Sequence, residues 1–89
     1  MPYIPQDKRK ELEDKMEDLF SHINSSELSI GEINFIISSI LNKYMKASNF
    51  NYALCNSLIG VLECAKLELY RKVVAEYEEV KISQNGSLY

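Results

Sequence analysis

YALCNSLIGVLECAKLELYRKVVAEYEEV, residues 52–80, decides how this chain folds. Within it Cys55, Leu58, Ile59, Leu62, Ala65, Leu69, Val73 and Tyr77 recur at the spacing of one face of an α-helix. At a rise of ~1.5 Å per residue such a helix spans roughly 42 Å. That is long for a chain of 89 residues. Leu54 and Val61 widen the apolar arc on one side and Tyr70 on the other. Two short helices would not cover so broad an arc, which points to a subunit interface along this helix.

Working outward, Ala47-Ser48-Asn49-Phe50-Asn51 reads as a short polar link. Before it, Ile33, Ile36, Ile37, Ile40, Leu41 and Tyr44 mark one face of a second helix. Ser29-Ile30-Gly31-Glu32 fits a capping box, with Ser29 at the N-cap and Glu32 at the third helical position. Lys43 and Lys46 sit in its last turn, where the helix dipole favours cations. Phe35 falls off the stripe and is expected either to cap the core or to face a neighbour. Further back, Leu12, Met16, Leu19, Phe20 and Ile23 form the stripe of a first helix, opened by Pro5 and closed by Asn24-Ser25-Ser26. Its acids and lysines alternate over the remaining surface as a solvated face. The expected fold is therefore all-α, one domain over residues 1–89, with two short helices packed on one long C-terminal helix and the whole a homo-oligomer.

Composition narrows the function classes. Apolar residues make up 46% of the chain and charged ones 26%, which suits a folded domain and not a disordered one. A domain this small buries only ~60% of its unfolded surface, so help from a disulfide, a metal or self-association is expected. Cys55 and Cys64 would lie ~13 Å apart along one helix, beyond the ~7 Å that a disulfide spans. His22 is the only histidine, and neither cysteine has a ligand partner at zinc spacing, so no metal and no cofactor is expected. Self-association remains. Net charge is −3, the wrong sign for general nucleic-acid binding. No apolar run approaches the ~18 residues of a membrane span, and Met1 to Lys8 has no signal-peptide character, so a cytoplasmic protein is expected.

Catalytic chemistry finds little to work with. Nucleophilic catalysis needs a Ser or Cys beside an oriented base, and His22 lies alone on a charge-rich helix. The carboxylates of the first helix are interleaved with lysines, which lower a carboxyl pKa instead of raising it. No phosphate-cradling loop is present. A non-enzymatic binding protein is the expectation. One cluster has more to offer: Glu63, Lys66 and Tyr70 fall within about 60° of one another on the long helix. Lys66 stands at the edge of the apolar arc, either as a snorkelling stem paired with Glu63 or as a cation awaiting an anionic ligand.

Several blocks of the chain carry a resemblance. They are Tyr3-Ile4-Pro5-Gln6-Asp7-Lys8-Arg9, Gly31-Glu32-Ile33-Asn34-Phe35, the run from Ile59 to Ala75, and then Tyr77-Glu78, Lys81-Ile82 and Asn85-Gly86. In that order they resemble a family of small phage and prophage proteins of unknown function. Its signature is an N-terminal YIPQ(D/E)(K/R)R and a C-terminal NGxxY tail. The resemblance covers nearly the whole chain, loosely between Ala47 and Asn51 and in the first half of the first helix. It implies that both ends, which composition alone would leave frayed, are ordered. It also makes Gln6, Arg9, Asn34, Glu63, Lys66, Glu68, Arg71 and Asn85 the polar residues most apt for a site. Relatives often carry a proline where this chain has Glu76, so the long helix is expected either to run further here or to weaken there.

Together these readings favour a homo-oligomer, a homodimer or higher, that sequesters a host anionic small molecule such as a nucleotide signal, a counter-defence sponge. Arg9, Lys66 and Arg71 would supply positive charge, Gln6 and Asn85 hydrogen bonds, and Tyr3 or Tyr70 a stacking face. Residues 3–9 are expected to pack near Glu63, Lys66, Tyr70 and Arg71, with the tail from Asn85 to Tyr89 close by. The alternatives are an adaptor or inhibitor of a host protein, or a structural or regulatory phage component.

Overall fold

The computed structural model describes all 89 residues, and every regular element in it is helical. The all-α class read from the sequence is the class observed. By contact the chain divides into two compact units, residues 2–54 and residues 55–89, with Met1 grouped with the second.

In the first unit Pro5, with φ −55° and ψ 148°, delivers an extended strand of chain into a helix, its carbonyl accepting the Arg9 N–H at 2.9 Å. Helix α1 covers Gln6–Lys15 and α2 covers Glu17–Ser25. Periodicity alone predicts one helix here. A tight turn at Met16, at φ −94° and ψ 2°, divides it. There the N–H of Met16 is shared between the carbonyls of Leu12 and Glu13, a local tightening toward 3₁₀ winding. Such a turn changes direction without breaking the apolar sequence pattern, so periodicity does not reveal it. Ser26, fully extended at ψ 142°, ends α2 as Asn24-Ser25-Ser26 predicts.

Helix α3, Ile30–Ala47, opens with the predicted capping box in full. The Glu32 N–H donates to Ser29 Oγ at 3.1 Å, and the Ser29 N–H donates to Glu32 Oε1 at 3.0 Å. Two otherwise orphaned donors are thereby satisfied, which fixes where α3 begins. At the far side of the link, Asn51 Oδ1 accepts the Leu54 N–H at 2.8 Å and caps the next helix.

That helix is longer than its apolar pattern shows. It comprises α4 (Tyr52–Leu69), one π-helical turn (Tyr70–Val74) and α5 (Ala75–Asn85) without interruption, and it runs straight past Glu76. It stops at Gly86, whose φ of +90° is a conformation that glycine alone adopts without strain. No helix in the chain is long and apolar enough to cross a membrane.

Burial separates this chain from an ordinary small domain. No side chain is buried. The stripes expected to form a core are open to solvent, with Phe20 at 40%, Ile40 at 60% and Leu69 at 61% exposure. The least exposed apolar positions, Leu19, Leu28, Ile36, Leu41, Leu54 and Leu58 among them, are only half-buried.

Candidate functional site

The expected site residues fall into both units. Tyr3, Gln6 and Arg9 belong to the first, and Lys66, Tyr70, Arg71 and Asn85 to the second. Each set has its own geometry.

In the first unit, Tyr3 precedes α1, Gln6 is its first residue and Arg9 lies one turn in. Tyr3 and Arg9 share an open groove of about 580 Å³ lined also by Pro2, Ile4, Leu12, Met16, Phe20 and the carboxylate-bearing Glu13. Gln6 does not line it. Phe20, from α2, follows Leu12 and Met16 at steps of four and lines the same groove. Arg9 is half-buried, unlike its neighbours on α1, and no ion pair or side-chain hydrogen bond engages its guanidinium. The nearby Lys8 is instead paired with Glu11 at 3.3 Å.

In the second unit the cations are already occupied. Lys66 Nζ lies 2.8 Å from Glu63, and Arg71 lies 2.5 Å from Glu68, each one helical turn apart. Of the two readings of Lys66, its pairing with Glu63 is the one the geometry carries. Glu68 is the withdrawn member of its pair, at 18% exposure against 69% for Arg71. The Tyr70 hydroxyl donates to Glu78, and this hydrogen bond to a carboxylate raises the phenol pKa above its ordinary value. Asn85 lies in a shallow hollow at the end of α5 with Lys81, Ile82, Leu88, Tyr89 and Glu78, the acceptor of the Tyr70 hydroxyl. Asn34, named by the resemblance, accepts the Ser38 hydroxyl at 2.9 Å on an exposed face of α3.

A third hollow escapes sequence reasoning. His22 and Leu19 of α2 meet Leu28, Ser29, Glu32, Phe35 and Ile36 around about 460 Å³. It accounts for Phe35 lying off the stripe of α3: the ring lines this hollow. Glu32 is held below the usual carboxylate range by the Ser29 N–H first, then the Ser29 hydroxyl, with a smaller contribution from the charge of His22. A capping box announces the first two partners, but not the charge of His22, which belongs to the preceding helix. Both cysteines are free thiols, Cys64 exposed and Cys55 half-buried. No group of three or more His, Cys, Asp or Glu side chains is placed to hold a metal ion.

Compared with known proteins, residues 1–88 match a family described as a domain of unknown function, DUF6899. No curated protein and no solved structure matches the chain.

Proposed function

The chain belongs to the DUF6899 family of unknown function, and on that footing we propose that it is a non-enzymatic binding protein. It assembles from copies of itself and sequesters an anionic small molecule, a nucleotide being the chemistry that fits. In the phage setting implied by the resemblance, such a protein acts in the host cytoplasm by removing a signal. The observation that carries this reading is Arg9. A guanidinium partly withdrawn from water, with no acceptor of its own, favours an incoming anion. Tyr3 in the same groove offers a ring face to a base, and Ile4, Leu12, Met16 and Phe20 offer apolar contact beside it. Lys66 and Arg71 move to a supporting role, since each already has a carboxylate partner.

A thermal-shift screen against nucleoside mono-, di- and triphosphates tests the reading, followed by titration of any nucleotide that stabilises the protein. Replacing Arg9 by Met should leave folding intact and weaken binding about 10- to 150-fold, the equivalent of ~1.5–3 kcal/mol for a charge-assisted hydrogen bond. Unchanged binding by folded Arg9→Met would remove the groove from consideration. The exposed apolar surface favours a second reading, an adaptor or inhibitor that covers it with a host protein. A stoichiometric complex recovered from host lysate, with no nucleotide effect, would establish that one instead.

A further inference from the structure

The apolar line of the long helix is one that plain α-helical winding would bend. From Leu58 it runs through Leu62, Ala65 and Leu69 in steps of four and three, then through Val73 and Tyr77 in two steps of four. Each step of four overshoots a full turn by ~40°, so an uninterrupted α-helix would carry Tyr77 ~80° round from Leu69. The turn Tyr70–Val74 prevents this. Its closure runs from the Ala75 N–H to the Tyr70 carbonyl, which winds one residue more into that turn. One extra residue is worth roughly 100° of rotation, enough to absorb the drift.

A second contact shows the same rotation. The Tyr70 hydroxyl reaches Glu78, eight residues on. In an α-helix these positions lie ~80° apart; with the wider turn between them they fall within roughly 20° and face the same side. Leu62, Leu69, Val73 and Tyr77 thus form one straight line, at 36%, 61%, 58% and 62% exposure.

The accessible area indicates how much of the chain is left for a partner to cover. The chain exposes 8066 Å². A self-sufficient folded monomer of 10.3 kDa would expose about 5,400 Å². The surplus is roughly 2,700 Å² over the whole chain, ample for the ~800 Å² that one partner contributes to a standard interface and for the larger share taken in an obligate homodimer. Charge favours a like partner too. From residue 55 to 85 four basic residues (Lys66, Arg71, Lys72, Lys81) face five acidic ones (Glu63, Glu68, Glu76, Glu78, Glu79), a net of −1. Two of the acids are already neutralised within the helix. A second copy therefore meets no strong repulsion.

We infer that the long helix is the seam along which a second copy of this chain packs, and that the π turn at Tyr70–Val74 keeps the seam straight. This rests on the self-assembly reading above and specifies its surface. Inserting an alanine after Lys72, a residue off the line, adds roughly 100° of rotation and swings Tyr77 away from Leu69. Light scattering of the full chain at tens of micromolar should show a multimer for the wild type. For the insertion it should show dissociation, or a dissociation constant raised at least 100-fold, with helix content retained. An insertion variant of unchanged mass and affinity would place the seam elsewhere and leave self-assembly standing. A wild type that is monomeric would overturn both. If the insertion does not fold, thiol reactivity decides. In a Cys55→Ser, Val73→Cys protein of wild-type mass, the thiol at position 73 should react at least 10-fold more slowly than Cys64, which lies roughly 120° round from the line. Equal rates would overturn the seam.

Discussion

Replacing Gly60 by Ala should stabilise this protein. Gly60 sits in the middle of α4 with helical, not positive, φ, and a Cβ built there meets no atom within 4 Å. Nothing within the chain requires a glycine at that position. A glycine in a helix interior costs about 1 kcal/mol relative to alanine, through backbone entropy in the unfolded chain. For a chain of this size that converts to a rise in melting temperature of roughly 4–8 °C. The same position tests the seam, because Gly60 lies roughly 160° round the helix from the line of Leu58, Leu62 and Leu69. A methyl group there should point away from a second copy and leave the assembled mass unchanged. Differential scanning calorimetry at matched protein concentration, beside light scattering, reads both quantities. A lowered melting temperature, or loss of assembly, would refute the reasoning: it would mean that another backbone closes on Gly60 and that the contact face is the opposite one.

The capping box gives a second test. Ser29→Ala should cost about 1 kcal/mol and Ser29→Asp little, since Asp also caps; equal melting temperatures for all three would deny the cap any role. Because the Glu32 carboxyl is held below its ordinary value, its contribution is present above that value and is lost as pH falls through the lowered one. Glu32→Gln should therefore lower the melting temperature at neutral pH, leave it nearly unchanged in acid, and so flatten the acid side of the profile. Tyr70 works with the opposite sign: its raised pKa places its contribution below the ordinary tyrosine value, to be lost as pH rises through the folded one. Tyrosinate absorbance should show one late-titrating phenol that disappears in Glu78→Gln. Lys66→Met should fold with a melting temperature within a few degrees of the wild type, as an exposed pair with Glu63 contributes at most ~0.5 kcal/mol. A collapse of the fold would reveal a buried role for that lysine.

What could be read from the sequence is what local chemistry decides. Helical periodicity gives the all-α class, and Ser29 with Glu32 gives the start of α3 to the residue, because a capping box is a contact across three positions. Asn51 carries the same kind of local signal, an Asn immediately before an apolar helix, inside a link whose composition is otherwise only polar. The end of the long helix lies beyond its apolar pattern, because the stripe thins after Tyr77 while nothing stops the helix until Gly86. The π turn did leave a trace, the two successive steps of four from Leu69 to Tyr77, which drift off a single face unless the winding changes. The bend at Met16 left none. Of the site residues, pairing of Lys66 with Glu63 follows from spacing alone. Arg9, Leu12, Met16 and Phe20 share a groove at helical spacing, so that much was legible, but not that residues 2–4 close its other side and leave Arg9 half-buried.

The absence of any buried side chain bears on how the protein behaves in small amounts. A domain with its own core is as stable in a dilute solution as in a concentrated one. A chain whose apolar surface is covered only from outside is subject to mass action, and each tenfold dilution of what covers it removes about 1.4 kcal/mol. If copies of the chain cover one another as proposed, most of those made early in synthesis, when copies are few, would be loosely structured and open to proteases. Past a threshold set by the dissociation constant, each new copy would protect those already made. Abundance would then act as a switch on folding itself, so that the protein accumulates steeply after a lag and not in proportion to its message.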